Sequence, residues 1–123
     1  MSRIRSRGNR QTEIFFASLL RANHITGWRR HLAITGRPDF TFKEHRVAVF
    51  IDGCFWHCCP RCGNMPANNR KFWKLKLAGN RKRDARVSRA LRAEGWKILR
   101  VWEHDLKRPE IVLKRLMRKL SAH

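Results

Sequence analysis

The spacing of apolar positions along the chain predicts three helices. Residues 12–23 have apolar side chains at helical intervals, and either Thr12 or Asn9 is a candidate for the N-cap. Residues 72–94 and 109–120 have the same type of pattern, and both segments are rich in Lys and Arg. The pair Gly79–Asn80 could divide the long basic segment into two helices, and Gly95 is well placed as its C-cap.

Four other segments have the patterns of strands. Residues 39–42 and 96–102 alternate polar and apolar, as half-buried strands do, and residues 47–51 form an apolar run typical of a buried central strand. A charged turn joins 39–42 to 47–51, which predicts a hairpin, and residues 28–34 are a candidate fourth strand. The resulting order, α-β-β-β-α-β-α, fits one compact α/β domain over residues 1–123 with a short basic N-terminal arm.

The charge of the chain narrows the classes of partner. There are 29 Lys and Arg against 9 Asp and Glu, a formal net charge of +20. Nucleic acid is the leading polyanionic partner, ahead of an anionic membrane surface or a ribosome-like assembly. No apolar run is long enough to span a membrane, and the basic start lacks the apolar core of a secretory signal, so a cytoplasmic, nucleoid-associated protein is expected.

The four cysteines are clustered at Cys54, Cys58, Cys59 and Cys62. Such clustering in a chain without an export signal indicates a reducing compartment and a metal site, because disulfides of small secreted domains usually close longer loops. The spacing is common in structural zinc sites. Both Cys58 and Cys59 fit it, and His57, Cys58 or the distant His104 could supply the fourth ligand.

Acidic residues are scarce, and two of them lie at predicted strand ends. Asp39 begins one strand and Asp52 ends the next, so a magnesium site beside a phosphodiester is one interpretation. Turn or capping roles are the alternative for both. Asp84 lies among cations of the basic helix, where a surface ion pair is the ordinary role.

The cysteine loop also carries His57 and two aromatic residues. His57 could bind zinc or act as a general base, since its ordinary pKa is near neutrality. Phe55, Trp56 and the nearby Trp73 could pack in the core or wedge between base pairs and unstack them.

Four stretches of sequence, taken together, are similar to a known family. They are Gly36-Arg-Pro-Asp-Phe40, Val47-Ala-Val-Phe-Ile-Asp-Gly-Cys-Phe-Trp-His57, Asn80-Arg-Lys-Arg-Asp84 and Gly95-Trp-Lys-Ile-Leu-Arg-Val-Trp-Glu-His104. They resemble, in order and from about Ile4 to His104, the very short patch repair (Vsr) DNA mismatch endonucleases. The resemblance implies the PD-(D/E)xK nuclease fold, a mixed sheet flanked by helices, and cleavage 5′ of the thymine in a T:G mismatch.

The resemblance also implies roles for the residues of the active site. Asp39 would be the side-chain ligand of a magnesium ion, and the backbone carbonyl of Ile51 would be another ligand. His57 would be the general base, with Asp84 orienting its ring, and Glu13 matches a family acid near the active site.

Further roles implied by the resemblance concern DNA and zinc. Phe55, Trp56 and Trp73 match the aromatics that intercalate beside the mispair, Asn80 matches a residue near the mismatch, and Arg37 is a candidate DNA contact. The zinc ligands would be Cys54, Cys59, Cys62 and His104, and Cys58 stands where the family often has Gly.

The sequence departs from the family and from its superfamily at two places. Family members extend before the position of Met1 with a segment that grips DNA, and this segment is expected to be short here. The usual Glu-x-Lys of the central strand is replaced by Phe50 and Asp52, of which many family members share the Asp. The resemblance implies a monomer acting on double-stranded DNA, with other mismatch-repair proteins as candidate partners. A mismatch-independent nuclease of the same fold and a non-catalytic zinc-stabilised DNA-binding module are the alternative functions.

Overall fold

The computed structural model describes residues 10–53 and 70–121. The elements in chain order are α1 (Arg10–Ala22), β1 (Trp28–Arg30), β2 (Phe40–Phe42), β3 (Val47–Asp52), α2 (Arg70–Ala93), β4 (Lys97–Trp102), a 3₁₀ helix (Glu103–Lys107) and α3 (Pro109–Ser121). Among these residues, no helix combines the length and the apolar character that a membrane span requires.

The four strands form one mixed sheet in the order β1-β2-β3-β4. The first three strands are antiparallel, and β3 and β4 are parallel, with Val47 opposite Lys97 and Asp52 opposite Trp102. A parallel pair needs a long crossover connection, and α2 lies within it. The predicted hairpin of β2 and β3 is confirmed by the pairing of Phe42 with Val47.

Helices cover both faces of the sheet because the buried strand β3 alternates its side chains between two cores. Val47, Val49 and Ile51 belong to a core shared with α1 and α3, whereas Ala48 and Phe50 belong to a core shared with α2. This arrangement, a mixed sheet flanked by helices, fits the restriction-endonuclease-like fold that the sequence predicts.

Helix α1 starts earlier than its apolar pattern indicates. It begins at Arg10, so Thr12 lies inside the helix and is not its N-cap; Asn9, the other candidate, lies outside the described residues. Phe16, Ala17 and Leu20 bury the apolar face against the sheet. Side-chain burial along this face, rather than a cap at Thr12, therefore accounts for the helix.

Helix α2 is continuous, so the predicted break at Gly79–Asn80 is wrong. One helix face carries Leu77, Asn80, Ser88 and Leu91, all buried, and this packing continues on both sides of the glycine. A glycine within a helix costs only about 1 kcal/mol, which the packing outweighs. The helix ends at Ala93, and Gly95 caps it as predicted: Gly95 has φ +92 and donates to the Arg92 carbonyl, while Trp96 donates to the Leu91 carbonyl.

The edge strand β1 is shorter than the segment 28–34 from which it was predicted. It ends at Arg30, because the next residue, His31, has a left-handed backbone with φ +53 and leaves the strand conformation. The backbone N–H of His31 still donates to the carbonyl of Asp39, which prolongs the pairing with β2 by one residue. This short extension brings His31 beside Asp39.

Candidate active site

Asp39 is held at one end of the sheet by a backbone hydrogen bond from the neighbouring strand. The N–H of Ile51, on β3, donates to Asp39 Oδ2 over 2.7 Å, and both residues are buried. Asp39 precedes β2, and β3 runs antiparallel to β2, so the beginning of one strand lies beside the end of the other. The two residues that the family resemblance assigns to magnesium, Asp39 and Ile51, are therefore adjacent.

A tight turn before Asp39 sets its position. Gly36 has φ +74 and Arg37 has φ +47, and the Arg37 N–H donates to the carbonyl of Ile34 over 2.9 Å. A Cβ built on Gly36 would lie 2.3 Å from a methyl group of Val87 on α2. The motif therefore needs glycine here for two reasons, its backbone angle and the close approach of the helix.

Glu13 approaches Asp39 from the first turns of α1. Glu13 is 2% exposed, and its Oε1 lies 2.8 Å from Arg30 Nη2 and 2.9 Å from His31 Nε2. Ligand atoms of Glu13, His31 and Asp39 all lie within 4.8 Å of one another. Three separate elements, α1, the end of β1 and the start of β2, thus bring two buried carboxylates and one imidazole together.

The chemistry of this cluster suits a divalent cation. Carboxylate and carbonyl oxygens are the ligands that magnesium prefers, and imidazole extends the range towards transition metals. Burial of two carboxylates is costly unless cations or donors compensate their charge; Arg30 pairs with Glu13, the Ile51 N–H donates to Asp39, and a divalent cation would compensate both carboxylates together. Glu13, Asp39 and the neighbouring Ile51 carbonyl are therefore the residues that could hold a metal ion.

His31 and Arg30 were not identified by the sequence reasoning. Neither residue belongs to a motif, and His31 is exposed. The register of the strand pair β1–β2 is what brings His31 to the site. Arg30 lies opposite Phe40, and the next pair of positions along the antiparallel strands is therefore His31 and Asp39. A prediction of that register, rather than of the strands alone, would have found the imidazole.

Asp52 is engaged by an arginine of the adjacent strand rather than grouped with Asp39. Arg100 Nη1 donates to both carboxylate oxygens of Asp52, over 3.0 and 3.1 Å, and its guanidinium lies 4.4 Å from the centre of the Phe50 ring. The metal-ligand cluster found among the described residues joins Asp39 to Glu13 and His31. Asp52 is not part of that three-residue cluster and forms an ion pair with Arg100, and the interpretation of Asp39 and Asp52 as a magnesium-binding pair stays a prediction.

The same arginine connects β4 to α2 near Asp84. Arg100 Nη2 lies 3.4 Å from the main-chain oxygen of Asp84 and 3.4 Å from the hydroxyl of Ser88. Asn80, Asp84 and Ser88 recur at intervals of four residues, so they lie along one side of α2. Asn80 is buried and receives a 3.4 Å contact from Arg83. His57, which Asp84 is expected to orient, lies outside the described residues.

Comparison with known proteins decides the family. The family model for DNA mismatch endonuclease Vsr matches residues 1–62, half of the chain. The chain is 38% identical over 112 residues to Type II nicking enzyme V.XorIIP of Xanthomonas oryzae pv. oryzae, an overlap of 86% of this chain and 78% of that protein. The chain belongs to the Vsr family.

Two further relatives share shorter regions with this Vsr-family chain. Type II nicking enzyme V.NaeI of Lentzea aerocolonigenes is 51% identical over 69 residues, which cover 56% of the chain and 42% of that protein. DNA mismatch endonuclease Vsr of Escherichia coli (strain K12) is 38% identical over 93 residues, 74% of the chain and 59% of that protein. The chain thus matches less than two thirds of the length of each of these two proteins. Its membership of the Vsr family places it among the DNA endonucleases.

The zinc ligands expected from the Vsr resemblance fall mostly outside the described residues. Cys54, Cys59 and Cys62 lie there, as does Cys58. His104 is described: it follows β4 in the 3₁₀ helix, is largely buried, and has Nε2 3.3 Å from Asp105 Oδ1. The zinc site therefore stays a prediction.

The expected DNA contacts of a Vsr-type enzyme are also partly described. Trp73 is half-buried in the first turns of α2 and packs edge-on against the exposed Phe72, with ring centres 5.2 Å apart. Arg37 is exposed in the turn before Asp39, whereas Phe55 and Trp56 lie outside the described residues. The exposed Phe72 and Leu75 were not singled out by the sequence reasoning. Trp73 was singled out as an aromatic residue near the cysteine loop, and its exposed neighbours on α2 share that position.

Proposed function

We propose that this protein is a magnesium-dependent DNA endonuclease that nicks double-stranded DNA 5′ of the thymine in a T:G mismatch. The nick would initiate very short patch mismatch repair. The proposal rests on membership of the Vsr family and on the Asp39 site, which together indicate both the class of substrate and the position of the chemistry.

The observation that supports the proposal most directly is the cluster of buried carboxylates at the sheet end. Glu13 and Asp39 come from distant parts of the chain, yet their ligand atoms lie within 4.8 Å of each other, close enough for one metal ion to bind both. In a chain with net charge +20, two of the nine acidic residues lie together and buried, and a divalent cation would compensate the charge of both.

Magnesium would be held by the Asp39 carboxylate and the Ile51 backbone carbonyl, with Glu13 nearby. When bound there, the ion would stabilise the negative charge that develops on the scissile phosphodiester. The hydrogen bond from the Ile51 N–H fixes the orientation of the Asp39 carboxylate before substrate arrives. Such preorganisation lowers the cost of reaching the reactive arrangement.

His57 would act as the general base and remove the proton from the attacking water. An unperturbed imidazole has the pKa that this role needs at neutral pH. Asp84 would orient the ring, and its helix turn is attached to the strand end through Arg100. His57 follows Asp52 by five residues, and Asp52 is bound by the same arginine.

A structural zinc ion would be bound by Cys54, Cys59, Cys62 and His104. The three cysteines follow β3 and the histidine follows β4, and these strands are parallel neighbours whose ends lie side by side. Thiolate and imidazole ligands are the ordinary set for structural zinc. The ion would therefore anchor the segment that carries His57 to the end of the sheet.

DNA would be bound through the basic face of α2 and the aromatic residues. The Lys and Arg side chains of α2 are exposed, and Asp84 is its sole acidic residue. Arg37 and Asn80 would contact DNA near the lesion, while Phe55, Trp56 and Trp73 would insert beside the mispair. Insertion favours a mismatch because a mispair costs less to unstack than a matched pair. The protein would act as a monomer, with other mismatch-repair proteins as candidate partners.

A nicking assay tests the proposal. Duplexes that differ only in one T:G or T:A pair, with randomised flanking bases, are incubated with the protein and Mg²⁺, with EDTA as the control. The proposal expects a nick 5′ of the mismatched thymine that requires Mg²⁺. If no T:G duplex were nicked, the proposal would be contradicted, and a non-catalytic DNA-binding module would be the remaining interpretation.

Nicking that does not require a mismatch is the second candidate function. Two of the relatives are named Type II nicking enzymes, and those names mention no mismatch. Equal nicking of the T:A and T:G duplexes at one flanking sequence would favour this alternative.

A further inference from the structure

We propose that His31 is a protein ligand of the divalent cation at the Asp39 site, so that the site has mixed nitrogen and oxygen ligands. The inference rests on the proposed function in placing a cation beside Asp39. It goes further by adding an imidazole to the site and by specifying which metals the site prefers. The sequence motifs assign no role to His31.

The distance between His31 and Glu13 suits two neighbouring ligands of one metal ion. His31 Nε2 lies 2.9 Å from Glu13 Oε1. Octahedral coordination with bonds of about 2.0–2.1 Å places adjacent ligand atoms roughly 2.9 Å apart. Asp39 supplies the third ligand atom within 4.8 Å of both others. A small closure of the three side chains around an ion would complete the set.

The three side chains differ in their exposure to solvent. Glu13 and Asp39 are almost fully buried, whereas the side chain of His31 is 50% exposed. Solvent therefore reaches the cluster on the side of the imidazole. Arg30 also contacts Glu13, at 2.8 Å, so the cluster without a metal carries one fewer net negative charge than its two carboxylates suggest.

The ligand set determines which metal binds best. Oxygen ligands suit Mg²⁺ and Mn²⁺ alike, while an imidazole nitrogen strengthens binding of Mn²⁺ and Co²⁺ relative to Mg²⁺. We therefore expect the protein to bind Mn²⁺ more tightly than Mg²⁺ by a margin that depends on His31. Nicking should also be supported by Mn²⁺.

Two matched variants isolate the imidazole. His31→Asn removes it, and asparagine tolerates the left-handed backbone at this position, φ +53. His24→Asn makes the same change at another exposed histidine with φ +58, outside the cluster. Both positions are exposed and have similar left-handed backbones, and the two changes differ in that His31→Asn also removes the contact with Glu13 and the proposed contact with the metal.

The experiment measures Mn²⁺ binding to the full-length protein directly. Dissociation constants for Mn²⁺ come from the electron paramagnetic resonance signal of the free ion, those for Mg²⁺ from competition, and pulsed measurements detect nitrogen bonded to Mn²⁺. We expect a nitrogen coupling in the wild-type protein and in His24→Asn, and its loss in His31→Asn. His31→Asn should weaken Mn²⁺ binding by about tenfold or more and Mg²⁺ binding by about threefold or less.

The outcomes separate this inference from the proposed function. The inference would be overturned if the nitrogen coupling persisted in His31→Asn. It would also be overturned if no nitrogen coupling were seen and His31→Asn weakened the binding of Mn²⁺ and of Mg²⁺ equally. His31 would then only hold Glu13 in position. In either case, if Asp39→Asn abolished Mn²⁺ binding, a cation site at Asp39 would still be supported. The proposed function would then stand without a metal contact from His31. If the wild-type protein bound neither ion, both proposals would fail.

Discussion

The carboxylate of Asp39 accepts a 2.7 Å hydrogen bond from the backbone N–H of Ile51, the residue two before Gly53. This contact joins the start of β2 to the end of β3 and ties the first sequence motif to the second. Each of the two residues is held by its own surroundings. Asp39 follows a tight turn with a left-handed backbone at Gly36, and Ile51 belongs to a fully buried strand. The position of the proposed metal ligand is therefore determined by packing as well as by sequence.

Gly36→Ala should destabilise the protein by about 3 kcal/mol. The left-handed backbone costs an alanine roughly 1–2 kcal/mol, and the collision of its Cβ with Val87 adds a similar amount. Gly27→Ala is the matched control, because Gly27 has φ +85 with no atom within 4 Å of a built Cβ, so only the backbone cost applies. Urea unfolding of both variants measures the difference.

The steric part of this prediction can be isolated by removing the neighbour. In a Val87→Ala background, the cost of Gly36→Ala should fall to about that of Gly27→Ala, since the methyl groups that it meets are absent. Equal costs of Gly36→Ala in the two backgrounds would contradict the close approach of α2 to the turn.

Arg100→Met should destabilise the protein by about 3 kcal/mol. The change keeps an apolar side chain over Phe50 but leaves the carboxylate of Asp52, only 3% exposed, without its cation. The double variant Asp52→Asn/Arg100→Met should be more stable than Arg100→Met alone, because no unpaired charge remains buried. Chemical denaturation measures the free energy of unfolding of both variants. A double variant less stable than either single variant would contradict the view that Arg100 compensates the buried charge of Asp52.

Cys54→Ser and Cys58→Ser test the zinc assignment as a pair. Cys54→Ser should lose the zinc and lower the melting temperature, since a structural metal contributes directly to folding. Cys58→Ser should keep one zinc per chain. Metal analysis by mass spectrometry and thermal melting measure the two effects, and loss of zinc from Cys58→Ser would exchange the roles of Cys58 and Cys59.

His57→Ala should slow nicking of a T:G duplex by about 10²–10⁴-fold, the usual contribution of a general base, without loss of zinc. The measurement combines single-turnover kinetics with metal analysis of the same preparation. Loss of zinc along with activity would make His57 a zinc ligand instead.

The sequence predicted the fold well where burial imposes a period on the chain. The run at 47–51 became the central strand β3, which is buried on both faces, and the alternation at 96–102 became its parallel neighbour β4, which buries Ile98, Leu99 and Val101. The prediction failed at Gly79–Asn80, where a local preference for breaking the helix is weaker than the packing of Leu77 and Leu91 along α2.

The candidate site was predicted only as far as its motifs extend. Asp39, Ile51 and Glu13 were identified through family resemblance, and they meet in the structure. His31 was missed because its role depends on the register of a three-residue edge strand, which no composition or spacing reveals. The ion pair of Asp52 was not predicted for the same reason: its partner, Arg100, is brought to it by the parallel pairing of β3 and β4.

The most direct test of the central claim is the single-turnover nicking rate of Asp39→Asn on a T:G duplex in Mg²⁺. Asparagine retains an oxygen that can accept the Ile51 hydrogen bond, so fold and DNA binding should be preserved while the charge of the metal ligand is lost. Glu94→Gln, which neutralises an exposed acid elsewhere, serves as the control. The account predicts a fall of about a thousandfold in the rate of Asp39→Asn with unchanged DNA affinity, since the metal contributes several kcal/mol to the transition state. A rate within a few fold of wild type would contradict it.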